Sequence, residues 1–128
     1  MVEVSGPMNF SVYTSKQAEQ NAAEADWGSL RWLASGEIGN AEGLTLGRAV
    51  IKAGRSNPPH RHDNCEEALY LLRGRLRHFA GNESVVLEPG DTLTVGSDVP
   101  HYAVNIGDDD ADMIVAYSSA RRNFQPES

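Results

Sequence analysis

The sequence predicts a single all-β domain, and three observations carry that expectation. From Leu44 onward every segment is a short run of strand character closed by turn residues: 44–53, 58–62, 67–73, 75–80, 84–87, 92–95, 100–106 and 112–118. The long helices that parallel βαβ units require are missing. With 128 residues, 12 Gly, 6 Pro and 40% apolar residues, the chain can bury one core but not two. Even strand spacing of this kind leads to a sandwich or a barrel.

Taken in order, residues 1–14 alternate loosely, with Val2, Val4, Phe10 and Val12 apolar, as an edge strand or an arm crossing to a partner would. From Ser15 to Asp26 the composition shifts to Ala, Glu and Gln. Thr14 precedes Gln17 by three residues in the manner of a capping box, so a short surface helix is expected. Leu30, Trp32 and Leu33 give Ser29 to Ser35 strand character, and Gly36, Gly39-Asn40 and Gly43 mark the turn that follows. Gly81-Asn82, Pro89-Gly90-Asp91 and the acidic run from Gly107 to Asp110 are the later turns. Two strands are apolar on both faces: Leu69 and Leu71 against Tyr70 and Leu72, and Met113 and Val115 against Ile114 and Ala116. A strand with one face in water would alternate, so the N-terminal segment or a second copy should cover the other face. A homodimer is the expectation.

Charge and composition exclude several functions. The chain carries 11 basic and 18 acidic residues, a net −7, and its only basic cluster is Arg121-Arg122, so nucleic acid is not an expected partner. No apolar run approaches the ~20 residues needed to cross a bilayer. The start, MVEVSGPMNF, lacks a basic region followed by an apolar stretch, so neither a membrane anchor nor a processed leader is expected. Cys65 is the sole cysteine and can form no internal disulfide, which suits a reducing compartment and a cytoplasmic location.

The chemistry concentrates in Gly54 to Gly74. His60 and His62 are two apart, so on an extended strand their rings share a face, with Cα atoms about 6.6 Å apart. Pro58 and Pro59 stiffen the approach. After the turn Asp63-Asn64-Cys65, Glu66 and Glu67 open the returning strand. Here the sequence resembles the cupin superfamily. That family's first motif is a glycine, five residues, His-x-His, three or four residues, a glutamate, about six residues and a glycine. Gly54, His60, His62, Glu67 and Gly74 match it. Its second motif is a glycine, five residues, Pro-x-Gly, two residues, a histidine, three residues and an asparagine. Gly90, His101 and Asn105 match, while Gly96 and Asp98 stand where the Pro and Gly are expected.

The resemblance implies a jelly-roll β-barrel with its core at residues 44–118, an N-terminal extension over 1–43 and a tail over 119–128. It also implies a centre of His60, His62, Glu67 and His101. Three imidazoles and a carboxylate inside a small barrel are costly unpaired, and one divalent ion would satisfy all four. Such donors suit Fe, Mn, Co, Ni, Cu or Zn better than Ca or Mg. Glu67 is preferred to Glu66 because it shares strand parity with Leu69 and Leu71. Cys65 is a minor candidate ligand.

Four protein ligands leave positions for a small-molecule substrate, and three readings follow. The first is a dioxygenase resembling the flavonol-cleaving (quercetinase-like) members. The second is a redox-neutral isomerase, decarboxylase or lyase with the ion as Lewis acid. The third is a non-catalytic module that binds a small acid or a sugar. Glu66, Tyr70 and Tyr102 are the candidates for a general base. Arg31, Trp32, Arg48, Tyr102 and Tyr117 could line the pocket, and Asn105 could reach into it or simply hold a turn. His78, outside both motifs, is expected to be a satisfied structural residue.

Overall fold

The computed structural model describes residues 10–127. Along the chain run α1 (Ser15–Gln20), β1 (Ala22–Ala25), β2 (Gly28–Ala34), β3 (Thr45–Ile51), β4 (His60–Arg61), β5 (Glu67–Arg73), β6 (Leu76–Ala80), β7 (Glu83–Leu87), β8 (Thr92–Val95), β9 (His101–Asn105), β10 (Ala111–Tyr117) and β11 (Gln125–Pro126). They form two sheets of antiparallel pairs, ordered β1-β2-β3-β10-β5-β8 and β11-β4-β9-β6-β7. This is the expected jelly roll. The inner residues of the two sheets supply one core, with Ile51, Leu71, Leu76 and Met113 fully buried at its centre.

Each strand between residues 44 and 118 falls within a residue or two of its expected place, because turn chemistry brackets each one. Alternation then decides the facing. In β5, Leu69 and Leu71 are buried while Tyr70 and Leu72 are each 44% exposed. Asn105 is the turn residue of the two alternatives. Its amide donates to the carbonyls of Ile51 and Asp109, and its oxygen accepts from Gly107 N–H.

The N-terminal part holds one correction. The capping box at Thr14 forms, its hydroxyl accepting from Gln17 N–H, but the helix stops at Gln20. Residues 22–25 are a strand, not helix, paired from Ala22↔Arg31 to Ala25↔Gly28. Cross-strand pairing there overrides the helix preference of Ala and Glu. Gly28 lets β2 lie close against β3, since a Cβ at that position would lie 1.8 Å from the Val50 carbonyl oxygen. Of the expected N-terminal strand or arm over 1–14, residues 1–9 lie outside the described residues. The residues expected to be a tail are built into the barrel: β11 pairs with β4, Gln125 opposite Arg61 and Pro126 opposite His60.

Candidate metal centre

Three separate strand beginnings deliver the four candidate ligands. His60 on β4 stands directly opposite His101 on β9. His62 follows β4 at once, and Glu67 opens β5 between Val95 and Tyr117. All four side chains are buried, and their ligand atoms lie within 4.8 Å of one another.

The orientation of each ring has a visible cause. Nδ1–H of His60 donates to the Pro58 carbonyl at 2.8 Å, that of His62 to Asn123 at 2.7 Å, and that of His101 to Val99 at 2.9 Å. A histidine whose Nδ1 carries the proton presents a lone pair at Nε2. Three Nε2 atoms therefore face inward together with the Glu67 carboxylate. His101 Nε2 lies 2.9 Å from Glu67 Oε1, but His62 Nε2, 3.4 Å from the same oxygen, is buried with no hydrogen-bond partner among the described residues. An orphaned buried nitrogen beside a carboxylate and two further imidazoles is the arrangement that a transition ion completes.

Electrostatics agree. Burial pushes the Glu67 pKa upward, yet the hydrogen bond with His101 and the proximity of His62 outweigh it and hold the group at about 2. Burial likewise pushes His60 down to about 4, leaving it neutral and able to ligate. For His101 burial acts downward too, but the Glu67 carboxylate reverses it and the net shift is upward. Cys65 packs in the core near this cluster without joining it, and burial raises its thiol pKa.

A cavity of about 130 Å³ opens beside His60, Glu67 and His101. One wall is apolar, built from Trp27, Leu30, Ile51, Met113 and Val115, and the polar groups in reach are Asn57, His78, Tyr117 and Arg122. Tyr117, 7% exposed, has its phenol pKa driven upward by burial and stays protonated. Arg122 stacks over Trp32 at 4.4 Å and Tyr117 at 5.1 Å. The absence of a Cβ at Gly47 admits the Trp32 ring, which would lie 2.7 Å from one.

Glu66, Tyr70 and Tyr102 are not brought to this cavity. Glu66 is exposed, Tyr70 points to the outer face of β5, and Tyr102 stacks on Phe79 at 4.8 Å, with its strand neighbours His101 and Ala103 turned inward. Arg48 is also absent from the lining and pairs with Asp112, its Nε 2.8 Å from the carboxylate. Sequence reading missed the last turn of chain. Phe124 stacks on His60 at 4.9 Å, and Asn123 supplies the carbonyl that holds His62. The only signal was an aromatic and two arginines in an otherwise polar stretch.

A jelly roll with three imidazoles and a carboxylate gathered between its sheets defines a class of small metal-binding barrels. The family model described as the cupin domain matches residues 47–117, more than half of the chain, and the protein belongs to the cupin family. A germin-like protein (subfamily 3 member 2) of Arabidopsis thaliana is 30% identical over 93 residues, 67% of this chain and 40% of that one. Oxalate oxidase GF-2.8 of Triticum aestivum is 28% identical over 88 residues, 62% of this chain and 39% of that one. The chain thus spans about two-fifths of the length of these curated relatives. Among solved structures, a Bacillus subtilis oxalate decarboxylase superposes with a TM-score of 0.80 at 20% identity, covering 96% of this chain and 34% of its own. The polyketide cyclase RemF of Streptomyces resistomycificus gives 0.68 at 20% identity, covering 84% and 74%. At such identities these structures speak for the fold alone.

Proposed function

We propose that this protein is an enzyme that holds one divalent transition ion between His60, His62, Glu67 and His101 and acts on a small carboxylic acid, with decarboxylation as the leading reaction. The observation that carries this reading is the pinning of all three Nδ1–H groups by backbone carbonyls, which aims three Nε2 atoms and Glu67 at one point. When bound there, the ion supplies a Lewis acid with positions left for a carboxylate. The chain does the rest. The apolar wall of Trp27, Leu30, Met113 and Val115 keeps water from the far side of the reactant, which strengthens every charge interaction inside. Arg122 offers a cation in the cavity wall, and the protonated Tyr117 phenol offers a hydrogen-bond donor.

Size favours a small acid over a flavonol. A cavity of about 130 Å³ is well under the ~300 Å³ at which pockets for drug-sized ligands begin. Relatives whose names specify oxalate point the same way. We further propose that the outer face of β5 and β10, with exposed Tyr70 and Leu72, is where a second copy packs.

The test is metal identification on protein purified without added metal, followed by product analysis with oxalate and other short acids. His60→Ala and His101→Ala should each retain a small fraction of the metal, and Glu67→Gln should lose more than Glu66→Gln. Full occupancy in both histidine variants would sink the ligand assignment. Ligand-dependent thermal stabilisation with no product would move the protein to the non-catalytic reading.

A further inference from the structure

His78 was expected to be a satisfied structural residue, and it is not satisfied. It points inward from β6 opposite Ala103 on β9 and is 2% exposed. Its ring stacks on His101, centroids 5.6 Å apart and planes 19° from parallel, yet it is not among the four residues whose donor atoms converge. The other three histidines each spend Nδ1 on a backbone carbonyl. His78 Nδ1 is sealed from solvent with no partner, and among the described residues the ring makes no hydrogen bond at either nitrogen. An imidazole held this way is costly, and an apolar side chain such as the neighbouring inward-facing Leu76 would fill the site more cheaply. The ring lines the cavity beside the metal centre.

We infer that His78 is a substrate-binding residue, presenting Nε2–H to an oxygen of a small carboxylate held at the metal centre. The tautomer follows from burial: an unpaired acceptor lone pair is tolerated better than an unpaired N–H, so the sealed Nδ1 keeps the lone pair and the proton sits on Nε2. A donor edge there, with Arg122 also in the cavity wall, selects an anion that has an oxygen beyond those the metal takes. This inference rests on the proposed metal centre and deepens it by naming what holds the rest of the substrate.

The experiment compares wild type, His78→Leu and His78→Gln in the manganese-loaded protein. Glycolate and formate affinities are measured by calorimetry, the manganese affinity separately, and the thermal midpoint without metal. His78→Leu should weaken both anions at least about tenfold, leave manganese affinity within about twofold, and hold or raise the midpoint. His78→Gln, whose amide reaches about as far as Nε2, should recover most of the anion affinity. Unchanged anion affinity in His78→Leu, a parallel loss of manganese, or a fall in midpoint restored by Gln without restored anion binding would each overturn the assignment. A wild type that keeps manganese but takes up neither anion overturns it while leaving the metal centre standing. A wild type that takes no metal overturns both.

Discussion

His101 is the residue at which protons and metal compete. Its pKa lies above the ordinary 6.5 because Glu67 outweighs burial, so the metal-free protein holds a proton there more tightly than a free imidazole would, and an incoming ion must displace it. Glu67 itself stays ionised down to about 2, and His60 takes no proton until about 4. Metal binding should therefore weaken as pH falls, by up to about tenfold from about pH 6.5 to about pH 5.5, the limit for displacing one proton. The sign is opposite for the metal-free protein: the His101–Glu67 pair contributes stability that is present below 6.5 and lost as pH rises through the higher folded value. Competition titrations at the two pH values check the first statement, and a pH-independent affinity would remove His101 from the ligand set. Asp98 is the other instructive residue. It adopts φ 66 where the family motif expects glycine, and its N–H donates to the His62 carbonyl at 2.7 Å. Asp tolerates this left-handed backbone and a β-branched residue does not. Asp98→Val should cost about 1–2 kcal/mol in denaturant unfolding, with Asp98→Gly close to wild type.

Among the elements, the stretch from the end of β11 back to residue 119 matters more than its composition suggests. The turn at Asp63 and Asn64 clamps it. Asn64 donates to the Arg121 carbonyl and accepts from Asn123 N–H, both at 2.8 Å, while Asp63 takes the side chains of Asn123 and Gln125. Because Asn123 in turn orients His62, Asn64→Ala should weaken metal affinity roughly tenfold without touching a ligand. Equal affinities in Asn64→Ala and wild type would show that the clamp is irrelevant to the centre. This is also where sequence reading ran out. The strands from β3 to β10 were legible because glycine and proline turns bracket alternating apolar runs, and the His-x-His spacing announced the four converging side chains. Nothing local reveals that residues 119–127 return to pair with β4. That contact spans the chain and leaves only a bridge of two residues, Gln125 and Pro126. For β1 the local signal pointed the wrong way, since Ala and Glu favour helix and only pairing with β2 makes them a strand.

For the whole molecule, the question is the outer face of the six-stranded sheet. Tyr70 and Leu72 on β5 are each 44% exposed, next to half-buried Ile114 on β10, and the Arg48–Asp112 pair sits on the same face. An apolar surface with one polar pair is what a self-complementary two-fold contact needs. Light scattering should give twice the chain's mass for wild type and the single mass for Tyr70→Glu combined with Leu72→Lys. A monomeric wild type at micromolar concentration would refute the homodimer. The two substitutions lie on the side of β5 away from Glu67, so metal affinity should persist in the double variant.

One bond described above sets when the centre can come into being. The carbonyl that orients His62 belongs to a residue 61 positions downstream. Closing so long a segment costs chain entropy before it returns any contact, so His62 stays unaimed in any chain whose downstream segment has not yet docked. Such chains would lack one of the three inward-facing imidazoles even where β4 pairs with β9 and sets His60 opposite His101. Uptake of an ion by such chains would be slow or weak, and the final docking of the downstream segment would be the step that makes it tight.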